Sequence, residues 1–291
     1  MSSIEAALRE ARARGLERLD AQLLLAHVLR QSRSWLLAHG DDALTAAHAA
    51  AYDVLVARRA AGEPFAYLVG EREFHGLALA VDASVLVPRP DTETLVDWAL
   101  DLLHGELRDA AAPAVLDLGT GSGAIALAIR NGCPRARLWA GERSAGALAV
   151  ARANAARLAL DVRFVQGDWW EALAGAADAP VFDLVVSNPP YIPSADLPTL
   201  SAEVRREPVL ALDGGADGLA AYRRVVAEAA RVLEPHGTLL CEIGAGQAAS
   251  VVDLFAAAGF GDVGRFADLA GIERVIEGTH RADAAPRVAS S

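Results

Sequence analysis

The sequence predicts an α/β protein: a parallel sheet with helices on both faces, preceded by a small helical domain. Three observations carry that expectation. Beyond Pro88, short apolar runs alternate with longer stretches of helical period, the pattern of successive βαβ units. The runs are too continuously apolar for strands with one wet face, which points to burial on both faces. The first ~60 residues have helical period and helix-type caps instead.

In chain order, Asp20 is placed to cap a helix carrying Leu23, Leu24, His27 and Val28 and ending near Ser32. A second helix runs from Thr45 to Ala61, where Gly62 and Pro64 stop it. From Phe65 to Val87 short extended pieces with Gly70 and Gly76 read as a connecting hairpin. The expected organisation is therefore a helical domain over 1–63, a hairpin linker over 64–87 and a sheet domain over 88–281. The polar, Ala/Pro/Ser-rich tail at 282–291 is expected to be disordered. Strands are predicted at 114–118, 136–141, 162–166, 182–187 and 238–243. Helices are predicted at 92–103, 124–130, 145–158 and 218–233. Two late strands, near 263–266 and 274–278, supply an antiparallel finish.

Composition removes several function classes. The chain has 291 residues, is 53% hydrophobic and contains no apolar run near the ~18 residues of a membrane span. Its first residues lack a basic segment followed by an apolar stretch, so no signal peptide is expected. Cys133 and Cys241 are far apart and without CxxC spacing, as expected of reduced, packed thiols in a cytoplasmic protein. With 27 basic against 38 acidic residues the net charge is -11, which disfavours broad binding to nucleic acid. The seven histidines form no ligand cluster, so no metal site is expected.

Asp117-Leu118-Gly119-Thr120-Gly121-Ser122-Gly123 joins a predicted strand to a predicted helix. Gly119 and Gly121 permit a tight turn with close backbone approach, and Gly123 lets helix and strand pack closely. Alone, such a turn is a weak signal. The next strand, however, ends in Glu142, 19 residues after Gly123, where a carboxylate can accept from both hydroxyls of a ribose. The spacing GxGxG after an acid departs from the GxGxxG of pyrophosphate sites. It suits S-adenosylmethionine, which presents an amino acid and a ribose and no phosphate. Asp117 then orients the backbone or receives the methionine ammonium, with a purely structural role as the alternative. The third strand ends at Asp168-Trp169, where the adenine should lie. Asp168 is placed to accept from its amino group and Trp169 to pack on its ring, although a Trp169-Trp170 pair also suits a core or an interface.

Asn188-Pro189-Pro190-Tyr191 follows the apolar run at 182–187, and two prolines forbid its continuation as strand. The result is a rigid turn at the carboxyl end of a strand, where open α/β sheets bind their ligands. It offers an amide, carbonyls and an aromatic ring, a set that suits a planar NH2 group. An amide nitrogen is a poor nucleophile because its lone pair is delocalised. The Asn188 side-chain oxygen and the Pro189 carbonyl each accept one of its N–H groups, localising density on nitrogen and aiming it at a sulfonium methyl. Tyr191 stacks on the planar group and excludes water. A proline-rich turn alone would explain the prolines but neither Asn188 nor Tyr191.

A GxGxG turn followed by Asn-Pro-Pro-Tyr resembles the amino methyltransferases, which include adenine-N6 and glutamine-N5 enzymes. Further segments are similar to the release-factor glutamine methyltransferases, the PrmC/HemK family. These are Pro64-Phe65-Ala66-Tyr67-Leu68-Val69-Gly70-Glu71-Arg72-Glu73-Phe74 and Val87-Pro88-Arg89-Pro90-Asp91-Thr92-Glu93. Glu207-Pro208, Asp213-Gly214-Gly215-Ala216-Asp217-Gly218 and Glu242-Ile243-Gly244 join them. The resemblance implies a Rossmann-like class I methyltransferase sheet of seven strands, the last antiparallel, behind a helical bundle that binds the partner. It implies methyl transfer from S-adenosylmethionine, leaving S-adenosylhomocysteine, to the glutamine of the Gly-Gly-Gln loop in class I peptide chain release factors. By motif, Gly119–Gly123, Glu142, Trp169 and Asn188 would contact the cofactor and Asn188–Tyr191 the glutamine; many relatives carry Asp where this chain has Glu142. Asp91 or Thr92 is expected to cap a helix and Glu93 to suit its N-terminus. Arg89 has no such duty and is expected to border the glutamine pocket and contact the partner backbone. Gly214-Gly215 and Glu207-Pro208 shape a partner groove or are simply turns. An adenine-N6 nucleic-acid methyltransferase is the alternative, and a non-enzymatic cofactor-binding protein the third option.

Overall fold

The computed structural model describes residues 2–281; the tail expected to be disordered, 282–291, lies outside the described residues. By compactness the chain divides into two units. One contains residues up to Glu71 together with Leu200–Glu207, and the other Arg72–Thr199 together with the chain from Pro208 onward.

The first unit is a helical bundle. α1 (Ile4–Ala13) starts where the Ser3 side chain accepts from the Ala6 N–H, and it buries Ile4, Ala7 and Ala11 along one stripe. α2 (Arg18–Leu29), α3 (Arg33–Ala38) and α4 (Ala46–Ala60) follow, the last matching the helix predicted over 45–61 and capped by the Thr45 side chain. Leu24, Leu25, Leu36, Leu44, Tyr52 and Val56 form the core, where the Tyr52 hydroxyl donates to the Ala21 carbonyl at 3.0 Å. Asp20 is not the cap of α2: it lies in the first turn and holds Arg59 of α4 at 2.6 Å. Arg59 also reaches Glu203 at 3.0 Å, tying the 200–207 segment to the bundle. The stretch 65–69, expected to be extended, forms α5 (Phe65–Val69). Its C-cap, Gly70, takes a φ of 75°, the left-handed helix stop that glycine adopts without strain.

A hairpin of β1 (Glu71–Phe74) and β2 (Leu77–Ala80) starts at the boundary residue Glu71 and otherwise belongs to the second unit. His75 and Gly76 join the strands with φ of 48° and 77°, the doubly positive φ of a tight hairpin turn. The remaining elements are α6 (Glu93–His104), β3 (Ala114–Leu118), α7 (Ala124–Gly132), β4 (Arg137–Glu142), α8 (Ala145–Leu158), β5 (Arg163–Gln166), α9 (Glu171–Ala174), β6 (Phe182–Ser187), α10 (Ala220–Ala229), β7 (Leu233–Glu242), α11 (Ala248–Ala257), β8 (Phe260–Ala267) and β9 (Glu273–His280). β3 to β9 build one seven-stranded sheet in the order β5-β4-β3-β6-β7-β9-β8. The first five of these pair in parallel, and β9 runs antiparallel between β7 and β8. That is the Rossmann-like arrangement the sequence predicts.

Strands 114–118 and 182–187 and the helix 145–158 fall where the hydrophobic pattern puts them. The helix predicted to reach residue 233 ends at Ala229 instead, and β7 begins at Leu233. The β6–β7 register explains the misreading: Phe182 pairs with Leu233 but Leu184 with Thr238, so residues 234–237 loop out of the ladder around His236 at φ 68°. Each face of the sheet buries its own cluster. Leu95, Ile125, Leu127, Leu138, Val186 and Leu240 lie on one side; Trp139, Phe182, Val185, Tyr222, Val251 and Phe255 lie on the other. The chain leaves β3 toward β4 on one side and returns through β6 on the other. This reversal opens a crevice at the carboxyl ends of β3 and β6. Among the described residues no helix is long and apolar enough to cross a membrane.

Candidate active site

At that crevice lies a cavity of ≈760 Å³ whose wall includes Gly119, Gly121, Glu142, Asp168, Trp169 and Asn188. The glycine turn is built by hydrogen bonds across to β4: the N–H groups of Gly119 and Thr120 both donate to the Gly141 carbonyl, at 2.9 and 3.0 Å. Gly119, Gly121 and Gly123 have φ of 86°, 57° and 85°, so a side chain there would be strained. A Cβ on Gly121 would meet nothing within 4 Å, which leaves its backbone open to a ligand. Asn154 of α8, fully buried, donates to the Ser122 carbonyl and brackets Ala80 of the hairpin with its amide, at 2.7–3.0 Å. Nothing local in the sequence distinguishes this Asn from a surface residue of α8.

Asp117 sits beneath the turn rather than on the cavity wall. Its Oδ2 accepts from the Thr120 hydroxyl at 2.6 Å and the Ala126 N–H at 3.1 Å, pinning the turn to the start of α7. Its Oδ1 is buried without a hydrogen-bond partner. Burial, opposed by those two bonds and reinforced by the Glu142 charge, pushes its carboxyl up to about 7. Glu142 accepts from the Gly121 N–H at 3.0 Å and the Ser144 N–H at 2.8 Å, one on each oxygen. A carboxylate has about four acceptor directions, so both oxygens retain one for a ligand. Asp168 is held by Arg224 at 2.7 Å, with Arg143 at 3.9 Å. Trp169 takes a φ of 54°, and its ring lies against Gly119, 3.5 Å from where a Cβ would stand. Arg224 also lines the cavity and was not foreseen, because its partner Asp168 is remote in sequence.

The Asn-Pro-Pro-Tyr turn leaves β6 after Ser187, whose hydroxyl donates to the Leu118 carbonyl at 2.6 Å and so locks β6 to β3. Asn188 and Pro190 reach the cavity wall, whereas Pro189 is buried and Tyr191 is not part of that wall. The Asn188 Nδ2 donates to the Thr92 hydroxyl at 3.2 Å. Thr92 and Asn188 also both hydrogen-bond to Glu242, at the end of β7. Capping does not explain the segment 89–93. Thr92 makes no side-chain cap bond, Asp91 pairs with Arg274 at 2.6 Å, and Glu93 accepts from the His75 N–H at 3.1 Å. These side chains reach sideways to the sheet ends and the hairpin, not along the helix axis. Arg89 lines the cavity, and its charge acts on Tyr191.

The glycines of the segment 213–218 and Gly244 pack around the turn that follows β6. Tyr191 is wedged among Gly214, Gly218 and Gly244: a Cβ on Gly214 would stand 2.8 Å from the Tyr191 backbone, and one on Gly244 2.9 Å from its ring. A Cβ on Gly218 would overlap the Tyr191 carbonyl oxygen. Gln247 completes the clamp, accepting from the Gly244 N–H and donating to the Tyr191 carbonyl, both at 3.0 Å. Among the described residues no group of three or more His, Cys, Asp or Glu side chains is arranged to hold a metal ion.

Comparison with known proteins follows the same lines. Residues 1–70 match the PrmC N-terminal domain model and residues 92–202 the methyltransferase small domain model. A release factor glutamine methyltransferase of Bordetella pertussis is 51% identical over 264 residues, covering 91% of this chain and 95% of the relative. One of Burkholderia pseudomallei is 50% identical over 274 residues, covering 92% and 93%. Among solved structures, a methyltransferase from Pyrococcus furiosus superposes with a TM-score of 0.51 at 16% identity over 71% of this chain and 90% of its own. The human methyltransferase 10 domain containing protein does so at 0.53 and 17%, over 71% and 89%. These distant structures share the fold. The sequence relatives go further, covering about nine-tenths of this chain at about half identity, and on them the chain belongs to the release factor glutamine methyltransferase family.

Proposed function

We propose that this protein transfers a methyl group from S-adenosylmethionine to the side-chain amide nitrogen, N5, of the glutamine in the Gly-Gly-Gln loop of class I peptide chain release factors. The observation that carries this reading is the orientation of Asn188. Its Nδ2 is committed to Thr92, so its Oδ1 is the atom left for an incoming NH2 group, beside the glycine turn.

The residues of the cavity fit the cofactor. The open backbone of Gly121 suits the amino-acid moiety and the spare acceptor directions of Glu142 the ribose hydroxyls, while Asp117, buried beneath the turn, fixes the backbone that receives them. Trp169 offers its ring to the adenine, and Asp168, steadied by Arg224, an acceptor for its amino group. Thr120 and Ser122 complete the turn. The cofactor supplies a methyl already activated on a positive sulfur, so no strong base is required of the protein. Asn188 Oδ1 and the Pro189 carbonyl accept the two N–H groups of the glutamine and hold its nitrogen in line. Pro190 keeps the turn rigid. Orientation of this kind accounts for part of the ~7–11 kcal/mol that positioning can remove from a barrier. The glutamine proton leaves easily once nitrogen has become cationic.

The helical domain, residues 1–63, with the segment 64–87, holds the release factor, and Arg89 contacts the backbone of its loop. The net charge of -11 weighs against the adenine-N6 alternative, which needs an electrostatic grip on nucleic acid. A partner that acts at the ribosome puts the reaction in the cytoplasm. The test is the intact mass of a purified class I release factor after incubation with the protein and S-adenosylmethionine. One added methyl is expected, lost when the loop glutamine is replaced; methylation of DNA or RNA with release factor inert would overturn the reading. Tyr191 gives a second check. Tyr191→Phe should retain most activity, while Tyr191→Ala should lower kcat about 10- to 100-fold by loosening the acceptor pocket. Equal losses in the two variants would assign the role to the hydroxyl instead of the ring.

A further inference from the structure

We infer that Glu242 and Thr92 are positioning residues for the transfer: together they fix the amide of Asn188 with its oxygen toward the acceptor nitrogen. The inference rests on the reading above; it gives Thr92, on the cavity wall, a role and adds Glu242, which that wall does not include.

The sheet brings these groups together. Ser187 of β6 is in register with Cys241 of β7, so Asn188 and Glu242 are the next residues of adjacent parallel strands. The preceding alternate residues, Val186 and Leu240, lie in the same core cluster as Leu95 and Val96 of α6, whose N-terminus carries Thr92. Glu242 is 2% exposed and Thr92 4%, a costly place for a carboxylate unless donors face it. The donors there are Thr92 and Asn188, while Oε2 keeps no partner. A carboxylate only accepts, and the single Thr92 proton is spent on it. The Thr92 oxygen therefore accepts from Asn188, whose NH2 must face this pair and whose Oδ1 must face away. Because the amide is conjugated, a negative charge beside its NH2 also enriches the oxygen and makes it the stronger acceptor.

The same burial makes the arrangement responsive to pH. It pushes the Glu242 carboxyl up to about 7, against the pull of Thr92, Arg274 and Asn188 and with the repulsion of Asp91. The charged and titratable groups around it among the described residues are Arg274 on β9, Asp91 before α6, Tyr191 beyond β6 and Tyr222 on α10, whose hydroxyl donates to the Glu242 carbonyl at 3.0 Å. Above its pKa Glu242 is the acceptor that orders the amide. Below it the carboxyl is neutral and that hold weakens, so kcat rises with pH through about 7.

The experiment joins a rate profile to a reaction-free readout. Release-factor methylation is measured against pH for the wild type, Glu242→Gln, Thr92→Val and Thr92→Ser. Glu242→Gln and Thr92→Val are expected to lose about 10- to 100-fold in kcat, the range of a hydrogen bond to a charged group, with KM and cofactor binding within about two-fold. Thr92→Ser, which keeps the hydroxyl, should restore the rate, and Glu242→Gln should abolish the rise near neutrality. In parallel, the ¹⁵N–¹H signals of the Asn188 side-chain amide are followed by NMR. They should titrate with Glu242 in the wild type and stop titrating in Glu242→Gln. Wild-type kcat and pH profile in both Glu242→Gln and Thr92→Val, or an Asn188 amide that does not titrate, would overturn the inference. If the release factor is not methylated at all while the Asn188 amide still titrates with Glu242, the proposed substrate fails and the positioning network stands.

Discussion

Asn188→Ala is expected to lower kcat by about 100- to 1,000-fold, the scale on which a single preorganised transition-state hydrogen bond acts. The variant removes the oxygen that, in the proposed reaction, holds the acceptor nitrogen in line, and does so where no neighbour can replace it. Thr92 is oriented by Glu242, and the Pro189 carbonyl can serve only one N–H. Cofactor affinity should fall much less, because the glycine turn and Glu142 are held by bonds that do not involve Asn188. Single-turnover methylation beside cofactor binding separates the two effects. A wild-type rate in this variant would refute the mechanism. Asn188→Asp should be equally slow, since it places a second carboxylate against Glu242 and two such groups cannot both ionise at close range.

The second large effect is expected far from the reacting atoms in sequence, at Gly218. Its φ is 74°, and an added Cβ would overlap the Tyr191 carbonyl and lie 2.7 Å from the Gln247 amide nitrogen. Gly218→Ala must therefore shift the turn that carries Asn188 and Tyr191 or break the Gln247 clamp. Displacement of a reacting group by about 1 Å costs on the order of 100-fold in rate, so a loss of that size in kcat is predicted. Gly271→Ala is the control for backbone strain alone. Its φ is 79°, but a Cβ there meets nothing within 4 Å. Both variants should lose about 1–2 kcal/mol from the left-handed conformation, visible as a lower Tm, and only Gly218→Ala should lose activity. Equal activity in the two variants would show that the clamp around Tyr191 does not position the site.

Much of this was legible in the chain because the signals are local. Apolar runs of strand length and prolines at 189 and 190 place the sheet and the turn beyond β6 without tertiary information. The stretch 65–69 was misread because Gly70 marks a helix stop and a strand break equally well; the packing of Leu68 into the bundle core decides for helix. Residues 234–237 misled for a related reason: a looped-out segment has neither period. Asp20 looked like a cap, since an acidic residue near a helix start is one locally; its partner, Arg59, lies 39 residues away.

By itself the sequence determined the fold class, the glycine turn with Glu142 at the end of the next strand, and the proline turn at 188–191. Each is written in backbone preferences and side-chain types that act over a few residues. The tertiary structure decided what surrounds them. It put Asp117 under the turn instead of on the cavity wall and committed Asp168 to Arg224. It turned Asp91, Thr92 and Glu93 from caps into sideways partners and closed three glycines around Tyr191. It also set Glu242 against Asn188, because only the lateral register of β6 and β7 makes neighbours of residues 54 positions apart. Hydrogen bonds and exclusion of volume act through space, and which groups they join is settled when the strands pair.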